Sequence, residues 1–262
     1  MVAATRVVLL HGLGADHRAF QRFERLLPDE WDLHLLDLLG HGDAPKPEHG
    51  YSLDEHGDYI ASRLRERWSD AEVQPPVLAG HSYGASTSVA VAARHPGIVR
   101  ALALLDPILH LDAEDGADGR ADHLTSPHGA GVAVDTNVAG DLGTATQQMF
   151  AARRQGSMAD TVDRLYRHES PALRRWITST WETMHVGVLD EFDQGWTRFA
   201  EHVACPVTII HGELERGGGG DLAVHWFDEP TVVPIAGAGH YLHASHAREV
   251  AAAVTAAVAR AT

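Results

Sequence analysis

The chain has 262 residues, 44% hydrophobic and 22% charged, an ordinary globular balance and a length that suits one large α/β domain, alone or with an inserted lid. Acidic residues outnumber basic ones 36 to 21, a formal charge of -15, which argues against nucleic acid and anionic membrane surfaces as partners. A single cysteine, Cys205, rules out an internal disulfide and suits a reducing compartment. With no secretory leader pattern and no window near the ~20 apolar residues of a membrane span, the expected location is cytoplasmic.

Short apolar runs alternate with amphipathic stretches from the start. Arg6–Leu10, Asp32–Leu36, Pro76–Ala79 and Ala101–Leu105 read as buried strands, and Pro206–Ile210 and Thr231–Ile235 resume the pattern near the C-terminus. Between them, Leu53–Trp68, Ala85–Arg94 and Arg248–Ala261 read as helices. Strand–helix alternation of this kind predicts a doubly wound, mostly parallel sheet.

The alternation stops after Asp106. Residues 112–143 are rich in Gly, Asp and His, and helical segments follow near Thr144–Arg154, Ser157–Arg167, Ser170–Thr183 and Val188–Glu201, with no clear strand. This predicts a helical lid over 111–201, inserted into a core of 1–110 and 202–262. The run Gly217–Gly220 predicts a mobile loop.

Three short motifs carry chemistry. Gly80-His81-Ser82-Tyr83-Gly84 matches G-x-S-x-G between a strand and a small-residue helix. A serine on so tight a turn needs small residues two before and two after it, and the following helix points its N-terminus at the site. His11-Gly12-Leu13-Gly14 ends the first strand. Acyl transfer needs two backbone donors for the oxyanion, and Leu13 N–H and Tyr83 N–H are the candidates. Ala238-Gly239-His240 follows the last strand, where a loop histidine can reach Ser82 as general base. The chain has 19 histidines, and none falls into the spacing of a helical zinc site, so no metal is expected. His243 and His246 read as lid-facing or solvated, and Cys205 as structural.

HGLG, DLLGHGDAPKP (37–47), GHSYG, LLDP (104–107), HGELE (211–215) and GAGH (237–240) together resemble the α/β-hydrolase superfamily, in that family's order. The resemblance implies a sheet of about six strands with the family's leading hairpin missing. It also implies a triad acid at the end of a strand. The usual family position corresponds to Glu215. An alternative arrangement corresponds to Asp106, 24 residues after Ser82. Asp106 is preferred because Pro107 stiffens its backbone, whereas Glu215 is longer and precedes RGGGG. Glu213 and Asp221 are outsiders, and Asp37 reads as a brace for its own loop.

The expected activity is hydrolysis of a carboxylic ester, lactone or related acyl bond of a small neutral substrate through an acyl-enzyme, with no cofactor. Thioesterase, amidase, carbon–carbon hydrolase and haloperoxidase-like activities share this machinery, and so does a slow-turnover ligand sensor. Trp176, Trp181, Met149, Met184 and Phe192, with Trp196, are the lid candidates for substrate contact. Homodimerisation is left open.

Overall fold

A computed structural model describes residues 4–68, 74–108, 145–167, 170–193, 195–214 and 223–261, and the backbone alone at 124–125, 131–132 and 136–144. Six parallel strands form one sheet: β1 (Arg6–Leu10), β2 (Asp32–Leu36), β3 (Val77–His81), β4 (Ala101–Leu105), β7 (Val207–Gly212) and β8 (Thr231–Ile235), in the order β2-β1-β3-β4-β7-β8. β3 and β7 each run two residues beyond the expected C-terminal ends. The added residues, Gly80 and His81 in β3 and His211 and Gly212 in β7, lie at the edge where the motifs begin.

Side chains alternate across the sheet, as pleated strands require. Val8, Leu10, Leu78, Leu102, Leu104 and Ile209 face one helical layer. Val7, Leu9, Val77, Ala79, Ala103 and Leu105 face the other. The first layer holds α1 (Leu53–Arg67) and α2 (Tyr83–Arg94). The second holds α8 (Leu242–Ser245), α9 (Ala247–Arg260) and a 3-10 turn at His17–Phe20. β3 and β4 are buried throughout, and each such Val, Leu or Ile side chain contributes about 1.5–3 kcal/mol. β8 lies at the sheet's edge and carries Pro234, which edge strands tolerate. α1 starts on a full capping box, with Ser52 and Glu55 satisfying each other's backbone N–H groups.

Between β4 and β7 the chain is mainly helical: α3 (Thr136–Gln155), α4 (Met158–Leu165), α5 (Pro171–Thr183), α6 (Gly187–Asp190) and α7 (Thr197–Ala200). The apolar faces of α3 to α6, with Leu39 and Tyr51 from the sheet side, form a third core, while Phe199 and Ala200 of α7 join the first layer. Three expectations are corrected here. α3 begins eight residues before Thr144, across two glycines of low helix propensity. A two-stranded antiparallel pair, β5 (Leu124–Thr125) and β6 (Gly131–Val132), occupies a stretch read as strandless, and it is too short for a periodicity to register. The expected helix Val188–Glu201 is two helices. The Asp193 carboxylate accepts from Gly195 N–H at 2.7 Å, and this turn interrupts the helix. The Gly217–Gly220 loop lies outside the described residues.

The sheet reverses its order between β1 and β3, the crevice where open α/β sheets bind ligands. Leu10 pairs with Gly80, so HGLG and GHSYG leave the sheet at one level, side by side. A Cβ on Gly80 would stand 2.2 Å from Gly84 O, and one on Gly84 would stand 2.3 Å from Leu10 O. Both positions face backbone, which cannot swing aside. Gly84→Ala is expected to cost about 1–3 kcal/mol or more in urea unfolding. A stability equal to the parent's would show that this contact is loose.

Candidate active site

Ser82 sits between β3 and α2 at φ 53° and ψ -117°. A non-glycine residue held there costs about 1–3 kcal/mol, and such strain persists only where the surroundings impose it. The surroundings here are specific. Ser82 N–H donates to Leu105 O at 3.0 Å, and Ser82 O accepts from Ala85 N–H at 2.9 Å. Tyr83 is the first residue of α2, so its N–H is one of the helix's unpaired leading amides. The Gly12 backbone packs against Ser82, since a Cβ on Gly12 would lie 3.1 Å from Ser82 Cβ. Leu13 therefore follows directly alongside the serine turn.

Asp106 ends β4, next to the Leu105 carbonyl that holds Ser82, and also takes a positive φ of 47°. Its N–H donates to Ile210 O at 2.7 Å. Oδ1 accepts from Gly212 N–H at 3.1 Å, and Oδ2 accepts from His240 Nδ1 at 2.6 Å. The carboxylate side chain is 4% exposed and the imidazole 12%. A carboxylate only accepts, so Nδ1 carries the hydrogen and Nε2 is left with its lone pair. The His240 loop rests on the end of β7, where a Cβ on Gly212 would meet Ala238 O at 2.4 Å. Ser82, Asp106 and His240 thus gather at the C-terminal ends of the strands. Glu213 is exposed, and Glu215 and Asp221 lie outside the described residues.

Two buried histidines stitch the HGLG loop to the loop after β2. His11 Nε2 accepts from Leu38 N–H at 3.1 Å, and His41 Nε2 accepts from Gly14 N–H at 3.2 Å. Their Nδ1 atoms face the carbonyls of Gly12 and Leu39, each at 2.8 Å. Both rings are therefore neutral, with the hydrogen on Nδ1. Asp37 braces the same loop, as expected. It accepts from His17 N–H at 2.6 Å and Asp43 N–H at 2.8 Å. Burial alone would raise its pKa; the Asp43 N–H bond and the His17 bonds bring it below the usual value instead. His17, Asp37 and Asp43 also form a set of metal-ligating types within 4.8 Å of one another, but the Asp37 oxygens are already engaged as acceptors in the loop.

The histidines are less scattered than their spacing implies. His11, His41, His56, His81 and His243 are all buried around this edge. His243, read from the sequence as lid-facing or solvated, is buried and packs between Phe20 at 5.0 Å and His81 at 4.4 Å. Burial lowers the pKa of all five, His56 and His243 to about 3.

The aromatic candidates separate. Trp181 covers the HGLG loop, where a Cβ on Gly14 would fall 2.1 Å from its ring. Phe192 packs at a tilt 5.2 Å from Tyr83 and edge-on 5.2 Å from Phe150, a neighbour the sequence did not single out. Met149 and Met184 are buried in the helical core, and Trp176 is half-buried there. Trp196 is elsewhere: it is fully buried beside α2, stacked on Phe227 at 5.6 Å, with Nε1 donating to Ile108 O. Tyr166 and Tyr241 meet at 3.3 Å beside His240 and were also missed, because nothing in their spacing pairs them.

Residues 5–247 match the family model described as alpha/beta hydrolase fold. The chain is an α/β-hydrolase. Among proteins similar to this α/β-hydrolase is the 2-(acetamidomethylene)succinate hydrolase of Mesorhizobium japonicum, 31% identical over 116 residues, 44% of this chain and 40% of that enzyme. A pimeloyl-[acyl-carrier protein] methyl ester esterase of Neisseria meningitidis is 33% identical over 120 residues, 45% of this chain and 36% of the esterase. These matches therefore span less than half of either relative. The enol-lactonase from Burkholderia xenovorans superposes over 98% of this chain and 92% of its own with a TM-score of 0.70 at 17% identity, a likeness of fold. Among the described residues no helix is long and apolar enough to cross a membrane.

The buried histidines give this hydrolase a pH dependence with a definite sign. Unfolded histidine binds its proton near pH 6.5 while the folded rings do not, so their stabilisation is complete above that value and is lost as pH falls. Each adds a slope of up to about 1.4 kcal/mol per pH unit. Urea unfolding should show a clear loss of stability between pH 7 and pH 5, with more than one proton taken up. An unfolding free energy that stays level over that range would contradict the neutral assignment.

Proposed function

We propose that this α/β-hydrolase is a serine hydrolase that cleaves a carboxylic ester, lactone or related acyl bond of a small neutral substrate. The observation that carries this is the His240–Asp106 pair at 2.6 Å beside a serine held in strained backbone. Ser82 Oγ attacks the acyl carbon while His240 Nε2 takes its proton; the same proton then goes to the leaving oxygen. Asp106 keeps the hydrogen on Nδ1 and stabilises the imidazolium that forms. The N–H groups of Leu13 and Tyr83 receive the oxyanion, an arrangement in which one donor is worth about 10²–10³ in rate. Water activated by His240 releases the acid, and no cofactor enters.

Trp181 and Phe192, with Trp176, Met149 and Met184 behind them, supply the apolar wall for the substrate. The esterase and lactonase names among the similar proteins favour this bond class. The helices between β4 and β7 serve as a lid in this scheme.

A fluorophosphonate probe should label Ser82, as read by peptide mass analysis, and Ser82→Ala should abolish both labelling and multiple turnover of p-nitrophenyl acyl esters. Asp106→Asn should lower kcat by about 10³–10⁴, since it leaves the base in the wrong tautomer, while Glu215→Gln should change it little. A loss of less than about tenfold for Asp106→Asn would remove Asp106 from the triad. A single burst that then stalls would favour a sensor over an enzyme.

A further inference from the structure

We infer that His81 is a positioning residue for the proposed base, its Nε2–H holding the backbone carbonyl of His240 and so fixing where that imidazole stands. This role presupposes the triad proposed above. His81 Nε2 lies 2.8 Å from His240 O. A carbonyl only accepts, so the ring hydrogen is on Nε2. The two rings are 4.7 Å apart between centroids, inclined at 42°.

The two partners differ in rigidity. His81 is the last residue of a fully buried strand, paired in register with Leu105, and its side chain is closed in by Gly12, His240, Tyr241 and His243. His240 comes from a loop with glycines at 237 and 239, the first at φ +69°, a composition that leaves its backbone little stiffness of its own. Asp106 fixes the base at Nδ1, one end of the side chain. His81 fixes the other end, at the main chain. The two bonds hold the residue at both of its ends and reference the imidazole to the ends of β3 and β4. His81 is also covalently joined to Ser82, so base and nucleophile are referenced to the same strand end. Charge fits the role: burial holds His81 neutral, next to His243 and His240, so no second cation opposes the imidazolium formed during attack.

The test compares His81→Gln, whose amide N–H can stand where Nε2 stands, with His81→Leu and with His81→Asn, which is polar but too short to reach the carbonyl. Ser82→Ala and Asp106→Asn run in parallel. Hydrolysis of p-nitrophenyl esters gives kcat and KM, thermal melting reports folding, and the low-field proton resonance of the His240–Asp106 bond reports the geometry of the base. For Leu and Asn, kcat should fall roughly 10- to 100-fold with KM nearly unchanged, as expected for a misplaced reacting group. The low-field resonance should broaden or vanish, and Gln should restore both. Leu and Asn variants as active as the parent would overturn the inference, as would equal losses in Gln, Leu and Asn that follow melting temperature. Full turnover by Ser82→Ala would instead sink the triad on which it stands, a separate and recognisable outcome.

Discussion

Where α2 leaves β3, main chain touches main chain, and the rest of the site is arranged around that contact. The turn at 80–84 presses on the end of β1 at Leu10 and His11, with no space for a Cβ at Gly80 or Gly84. Close packing of this kind forces the intervening residue into a conformation that side chains ordinarily avoid, and Ser82 takes it. The local cost of about 1–3 kcal/mol is offset by two continuously buried strands on either side of the turn, whose apolar side chains go to both faces of the sheet. The strain is sustained by the sheet, not by the turn.

Histidine is the second material of this edge. An imidazole is the one side chain that can donate from one nitrogen and accept at the other while uncharged. The structure uses that at His11 and His41, which knit two loops by taking an amide hydrogen on one side and giving a hydrogen to a carbonyl on the other. Neutrality follows from the partners, and burial enforces it. Asp37, whose oxygen lies 3.5 Å from His11, and Asp16 both favour a proton on that ring, and burial outweighs them.

The choice of acid shows where reasoning along the chain stops. Along the chain Asp106 and Glu215 are equivalent candidates, since both follow Ser82 and precede His240. Rigidity favoured Asp106; the structure joins Asp106 to His240 by a 2.6 Å bond, and Glu215 lies outside the described residues. The tryptophans divide for a similar reason. Trp181 and Trp196 are equally apolar and 15 positions apart, yet one covers the HGLG loop and the other stacks in the core beside α2. Only the path of the helices between β4 and β7 separates them, and that path includes a turn at Asp193 that an uninterrupted helical pattern concealed.

The sequence by itself determined the parallel sheet, the family, and the three turns that carry Ser82, Leu13 and His240. Each of those is written within a few consecutive residues: a run of buried apolar side chains, or glycines placed where only a missing Cβ permits the backbone to pass. Tertiary structure decided which carboxylate meets the imidazole, which histidines are buried and in which tautomer, and which aromatic rings stand near the serine. Those contacts join residues as far as 223 positions apart, as Phe20 and His243 are. Strand register and helix packing bring them together, and no spacing along the chain encodes a distance of that kind.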